Sequence, residues 1–249
     1  MSRVEDNFFK VLEKAYRTFL PRDSYAVVRV DGKGFSKYTK NLEQPFDAQF
    51  SRDMRETAMY LVENIDGAVF GYHQSDEISV IFSDLAGPNT EWWFGGGLQK
   101  ITSVVAAMAT AKFNSLRPDG GLALFDARVH HLDAEGDLSV LQYLDWRQTD
   151  AIKNSVSMLA SHHFSHRELE GLSTYGRILK LAEKGVTWND LDLAVRQGSL
   201  LRKVEREKTV RFSKRDGVEE TITVQRKQWV IEDAPRFEDF DTVEELEGL

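Results

Sequence analysis

The chain contains no cysteine. That excludes disulfides, thiolate nucleophiles and cysteine-ligated zinc, and it fits a reducing cytoplasm, the compartment expected here. It also has no apolar run of about eighteen residues, so no membrane span is expected. The N-terminal stretch MSRVEDNFFKVLEK carries acids and lacks the apolar core of a signal peptide. Basic residues are outnumbered, 32 Lys and Arg against 40 Asp and Glu, for a net charge of −8. A deficit of that size argues against binding nucleic acid through bulk charge, although clustered cations still permit an RNA enzyme. The cations do cluster: Arg196–Lys227 is basic and Glu232–Leu249 acidic. Internal repeats and low-complexity segments are absent.

Hydrophobic residues at 41% and charged residues at 29% suit a globular protein of 249 residues, one large domain or a domain with an appendage. Phe8, Val11, Leu12, Tyr16 and Leu20 recur at helical spacing until Pro21. SYAVVRVD, 24–31, reads as a buried strand, and GKGFSKYTKNLEQPFD as a loop. Asp47 caps a helix over 48–65. Residues 68–73 and 77–83 are strands joined by a short turn at Gln74-Ser75-Asp76. A helix spans Trp92–Leu116, its true start after the glycines Gly95–Gly97. Residues 122–132 form a further strand carrying Asp126 and Arg128. Beyond Asp137 the pattern is helical: Leu138–His163, a capping box at Ser165–Glu168, then helices near 175–184 and 189–196. Strands over 199–212 and 219–231 flank a turn at Arg215-Asp216-Gly217. Asp233–Leu249 reads as loosely held.

The first 132 residues therefore follow the order βαββαβ. The expected class is α+β: a ferredoxin-like polymerase-palm domain with appended helices and a C-terminal β-hairpin. The division expected is a palm-like catalytic region, 1–135, and a helical and hairpin region, 136–249, packed on it. In this topology strand three lies between strands one and two and runs opposite to both. Its beginning then sits beside the end of strand one. Asp31 ends VVRVD and Asp76 opens DEISVIF, so two acids distant in sequence become neighbours.

Adjacent carboxylates repel unless cations lie between them. All-oxygen ligation suits Mg²⁺, and two such ions about 4 Å apart clamp an in-line phosphoryl displacement. Asp31 and Asp76 are the candidate ligands, with the Gly32 carbonyl as a third. In GKGFSK, Gly32 and Gly34 let backbone amides turn inward as an anion nest, and Lys33 and Lys37 add charge. Ser75 is placed to donate to a phosphate. Asp and Ser at strand ends also serve as plain turn formers, and glycine-lysine loops are common. Glu77 is expected on the opposite face from Asp76, with a structural role or one supporting the ligands from behind. His162, His163 and His166 form an incomplete metal set, and Trp92 and Trp93 read as core or interface.

VRVDGKGFSKYT, FGYHQSDEISVIF, FDARV, YLDWRQTDAIKNS and VRQGSLLRK occur here in that order. Together they resemble the tRNA(His) guanylyltransferase family and its Thg1-like branch over roughly residues 5–235. The resemblance implies a reverse polymerase that adds nucleotides to the 5′ end of tRNA or tRNA-like RNA. The 5′ end is first activated with ATP, and the 3′-hydroxyl of an incoming nucleoside triphosphate, GTP in the name reaction, then attacks. By motif, Asp31 and Asp76 are the metal carboxylates and Gly32 gives a carbonyl. Asp31, Gly32, Lys33, Gly34, Phe35 and Ser36 hold the triphosphate with Ser75, and Lys100 matches a family lysine. A homotetramer is implied as well. Two departures matter. Where eukaryotic members carry HINNLYN, tied to the RNA end and anticodon, this chain has Ile152 and Met158 at the first and last positions and keeps Asn154. The lysine often found before the loop proline is Gln44, which leaves Lys40 or another base to serve activation. Templated repair of 5′-truncated RNA is therefore favoured over strict tRNA(His) specificity. A nucleotide cyclase-like signalling enzyme on the same palm, acting without RNA, is the alternative, and a non-catalytic RNA-binding member is a third.

Overall fold

The computed structural model describes residues 3–132, 140–213 and 219–249. The expected turn at Arg215–Gly217, the expected helix start at Asp137–Leu138 and the boundary between the two expected regions lie outside the described residues. Helix α1 (Arg3–Ala15) is followed by β1 (Tyr25–Gly32), a short α2 (Phe35–Tyr38), α3 (Ala48–Asn64), β2 (Ala68–Gln74) and β3 (Glu77–Ser83). Next come α4 (Leu98–Leu116), β4 (Phe125–Leu132), α5 (Val140–His163), α6 (His166–Leu169), α7 (Thr174–Ala182) and α8 (Leu193–Gln197). The chain ends with β5 (Ser199–Ser213), β6 (Glu219–Asp233) and α9 (Val243–Glu247). One six-stranded sheet runs in the order β4-β1-β3-β2-β5-β6, so the first four strands have the expected palm arrangement. The C-terminal hairpin extends this sheet, since β5 pairs with β2 over Ser199–Leu201.

The pleat sorts β1 between two cores. Ala26, Val28 and Val30 face α3 and α4, against Met54, Leu61, Val105 and Phe113. Val27 faces the other way with Phe70, Tyr72 and Ile81, against Leu141 and Leu144 of α5. The central strands are thus covered on both sides, and every residue of β3 is buried, its mid-strand Ser79 hydroxyl paired with the Tyr143 hydroxyl at 2.8 Å. Asp47 caps α3 as expected, its carboxylate accepting from the Phe50 amide at 2.6 Å. The loop expected over 32–47 instead forms α2 and one 3₁₀ turn, because the Phe35 ring docks among Tyr38, Phe50, Phe113 and Phe125. Helix α1 stops at Ala15, short of Pro21, and the chain then bridges Phe19 to Gly97.

The tail departs from expectation. Residues 233–249 are held down: Phe237 is 1% exposed and Leu246 fully buried, both in the α5-side core. The Gln148 side chain accepts from the Phe237 amide at 3.2 Å and donates to the Pro235 carbonyl at 2.7 Å. Acidic composition suggested fraying, but two apolar side chains at the right spacing outweigh it. Phe237→Ala should lower the unfolding free energy by about 3–5 kcal/mol, read from urea denaturation; a loss below about 1 kcal/mol would show the tail to be loosely held.

Candidate active site

The β1–β3 register carries the site. Asp31 lies directly opposite Glu77 on one side and Asp126 on the other. The β2–β3 connection is two residues, Ser75 and Asp76, with Ser75 in the left-handed region at φ +51°. Asp76 therefore stands one residue from the partner of Asp31. Both line a cavity of about 620 Å³ that also takes in Ser36, Gln44, Asn154 and Met158. Burial, and next the charge of Asp31, push the Asp76 carboxyl up to about 6. That coupling is the electrostatic signature of two carboxylates sharing one site.

Glu77 keeps the structural role expected of it but not the expected face. It lines the same cavity as Asp76, because Asp76 belongs to the turn and does not continue the alternation of the strand. Its carboxylate is buried and accepts two bonds from Arg147 of α5, at 2.7 and 3.0 Å, with Arg29 at 3.8 Å. Burial raises its pKa against the lowering effect of Arg147 and Arg29. Arg147 also donates to Asp150 at 2.8 Å. The clamp thus ties α5 to the start of β3 and sets the cavity wall formed by Asp150 and Asn154. Residue reading missed Arg147; the available signal was the WRQTD run, whose Arg147 and Asp150 share a helix face.

The glycine loop has a different logic from the one expected. A Cβ on Gly32 would lie 2.3 Å from the Phe35 ring, so glycine is required there by packing. Gly34 caps α2 at φ +69°. The Lys33 amide is spent on the Leu124 carbonyl at 2.8 Å, which removes it from any nest. The amides of Phe35 and Ser36 open α2 without an intrahelical acceptor. Phe35 contributes its backbone only, since its ring is core. Gly32, Lys33, Gly34 and Lys37 are not among the lining residues; Lys33 and Lys37 stand exposed on the loop. Lys100 does not join the site. It sits in the first turn of α4, its ammonium 4.4 Å from the Phe94 ring centre, whereas Phe113 in the last turn touches Phe35. Thirteen residues of helix separate the two, about 20 Å. Gln44 donates to the Thr39 and Leu42 carbonyls at 3.2 and 3.3 Å and so shapes the loop. Trp92 is core, its indole donating to the Pro21 carbonyl at 2.6 Å. Ser165 donates to Glu168 through both its amide and its hydroxyl, as a capping pair does.

Among the described residues no lysine or arginine lines the cavity, while Asp31, Glu43, Asp47, Asp76, Glu77 and Asp150 do. A triphosphate cannot enter such a lining without cations. The donor set fits Mg²⁺, which binds through one or two carboxylates and keeps water or phosphate in its other positions. No group of three or more His, Cys, Asp or Glu able to hold a metal occurs among the described residues. Because the Asp76 pKa is raised in the folded state, the folded chain favours the protonated acid. That stability is present below about pH 4 and lost as pH rises to about 6. Asp76→Asn should therefore be more stable than the native chain above pH 6 without divalent ions, by on the order of 2–3 kcal/mol, with the gap closing near pH 4. Thermal melts across that range, with and without Mg²⁺, measure it.

A family model described as tRNAHis guanylyltransferase, Thg1, matches residues 6–133. The fold aligns with a bacterial tRNA(His) guanylyltransferase (Thg1)-like protein in complex with ATP, at TM-score 0.82 and 37% identity over 94% of each chain. A structure of such a bacterial protein in complex with GTP aligns at TM-score 0.79 and 35% identity, over 95% of this chain and 94% of the other. The tRNA(His) guanylyltransferase of Schizosaccharomyces pombe is 30% identical over 165 residues, 63% of this chain and 59% of that protein. This chain belongs to the tRNA(His) guanylyltransferase (Thg1) family of 3′–5′ nucleotidyltransferases.

Proposed function

We propose that the protein adds nucleotides to the 5′ end of tRNA or tRNA-like RNA, and that templated repair of shortened 5′ ends is its task in preference to adding one guanylate to tRNA(His). The observation that carries this is the acidic cavity in which Asp31 and Asp76 meet. ATP, GTP or another nucleoside triphosphate would be the substrates, a reading supported by the bacterial relatives that bind ATP and GTP.

In this mechanism Asp31 and Asp76 would hold two Mg²⁺ ions, and the backbone carbonyl of Gly32, next to Asp31 though its residue does not line the cavity, would offer a further oxygen. Bound there, the ions would supply charge neutralisation for the polyphosphate and so lower the barrier to in-line displacement. Ser75 and the Phe35 and Ser36 amides orient the phosphate chain, and the Glu77–Arg147 clamp keeps the β2–β3 hairpin in place. First, the RNA 5′-phosphate attacks the α-phosphorus of ATP and releases pyrophosphate. The 3′-hydroxyl of the incoming nucleotide then attacks the activated 5′-phosphorus and releases AMP, and pyrophosphate is removed from the new end afterwards. Alignment and charge neutralisation drive such steps without a protein nucleophile. Preference for repair is supported by the cavity wall, where Asn154 remains but Met158 stands at the position of the eukaryotic asparagine.

The test is incubation with full-length and 5′-truncated tRNAs, Mg²⁺ and each nucleotide, followed by sequencing of the 5′ ends. Templated addition irrespective of the anticodon is expected. Strict dependence on the histidine anticodon would overturn the repair reading, and a cyclic nucleotide product without RNA labelling would overturn the whole. Asp31→Ala and Asp76→Ala should each abolish addition while the circular dichroism spectrum is kept.

The protein is further proposed to assemble as a homotetramer. Helix α1 and the residues after it leave Phe8, Phe9, Val11, Tyr16 and Phe19 more than half exposed, and apolar side chains at that density are normally covered. Light scattering should give four times the chain mass, and Phe8→Ser/Phe9→Ser should reduce it; a monomeric native protein would refute the assembly.

A further inference from the structure

His73 lines the same cavity as Asp31 and Asp76. It sits on the strand that leads into the Ser75–Asp76 turn and is 3% exposed. Its Nε2 lies 3.0 Å from the Ser75 carbonyl oxygen. A carbonyl only accepts, so Nε2 carries the proton. Burial holds the ring well below the usual histidine range, at about 4, so it is neutral and Nδ1 is a bare acceptor. That Nδ1 is buried without a protein partner, a condition proteins rarely tolerate unless something else completes it. Ser199, paired with His73 across β2 and β5, also has a buried hydroxyl without a partner. The two side chains do not bond to each other, and a water between them is the competing arrangement. Ser75 itself is held at φ +51°, which side chains of L residues disfavour. The Nε2–H bond pins the carbonyl of that residue, and with it the turn that presents Asp76.

We propose that His73 couples the bound nucleoside to the carboxylate turn: its ε nitrogen positions Ser75 and Asp76, and its δ nitrogen accepts a hydrogen bond from an N–H or O–H donor of the nucleoside triphosphate. This rests on the nucleotidyl-transfer reading above. His73 is a positioning residue, with no role in bond making. Two conservative variants separate its halves. Glutamine places an N–H near the ε position and has no δ acceptor. Asparagine places an acceptor near the δ position and does not reach the Ser75 carbonyl.

Equilibrium binding of GTP with Mg²⁺ and steady-state nucleotide addition are measured on the full chain for His73→Gln, His73→Asn and Ser199→Ala, with melting curves to confirm folding. His73→Gln should raise the GTP Kd and KM roughly fivefold to tenfold, the loss of one hydrogen bond, with kcat within about twofold. His73→Asn should lower kcat roughly tenfold while the GTP Kd stays within about twofold. Ser199→Ala should change neither. In the native protein, ¹⁵N spectra of the histidine ring should show the Nε2–H tautomer and a shift of Nδ1 on adding GTP. The inference is overturned by an Nδ1 that GTP leaves unmoved, by identical changes in the two His73 variants, or by Ser199→Ala reproducing the glutamine penalty. A native chain that binds GTP but extends no RNA refutes the activity instead, and the glutamine and ¹⁵N measurements then still judge the δ acceptor.

Discussion

Two like charges at the end of a sheet are the constraint from which the rest follows. Antiparallel pairing places Asp31 opposite Glu77, and the two-residue turn before Glu77 brings Asp76 alongside. In a partly buried setting the repulsion is not screened as it is in water. Burial first, and the charge of Asp31 second, push the Asp76 carboxyl up to about 6. A protein built only for stability would not keep this pair, since an apolar or hydrogen-bonding residue at either position removes the strain. The pair is accounted for by the proposed mechanism, in which divalent cations and a polyphosphate complete it, and among the described residues no lysine or arginine lines the cavity to do so instead.

The scaffold that holds this strained end is conspicuously over-determined. On one face the Phe35 ring fills the space above Gly32 and stacks into five-ring packing with Tyr38, Phe50, Phe113 and Phe125. On the other, Arg147 fixes Glu77 with a two-pronged bond in a buried setting. Such a pair adds little net stability, because desolvation offsets its attraction, yet removing one partner leaves an uncompensated buried charge. Its value here is geometric. It locks α5, which carries Asp150 and Asn154, to the hairpin that carries Ser75 and Asp76. Catalysis by alignment needs that rigidity more than it needs any single reactive group.

Several readings of individual residues succeeded because they rest on short-range physics. The Asp47 cap, the glycine break before α4 and the capping pair at Ser165 involve contacts within four residues, where chain connectivity alone brings partners together. Elsewhere distant partners decide. Gly32 looked like a phosphate-loop glycine, and the structure adds a packing reason that only the docked Phe35 ring reveals. Lys100 matched a family position but lies a helix length away, since α4 runs with its first turn away from the carboxylates. The acidic composition of the tail suits a free segment, and it carries no trace of the apolar pocket that receives Phe237 and Leu246. Strand alternation sets Glu77 on the face opposite Asp76, but alternation does not extend through a turn.

The sequence by itself determined the βαββαβ order, the two strand-end acids and, through its motifs, the family, because periodicity and turn chemistry are written in neighbouring residues. It also implied, through topology, that Asp31 and Asp76 converge. Only the tertiary structure decided what surrounds them: the Arg147 clamp, the unpaired Nδ1 of His73, a cavity lined by no lysine among the described residues and the anchoring of the tail. Those features depend on which side chains meet across elements far apart in the chain, and no local pattern encodes that.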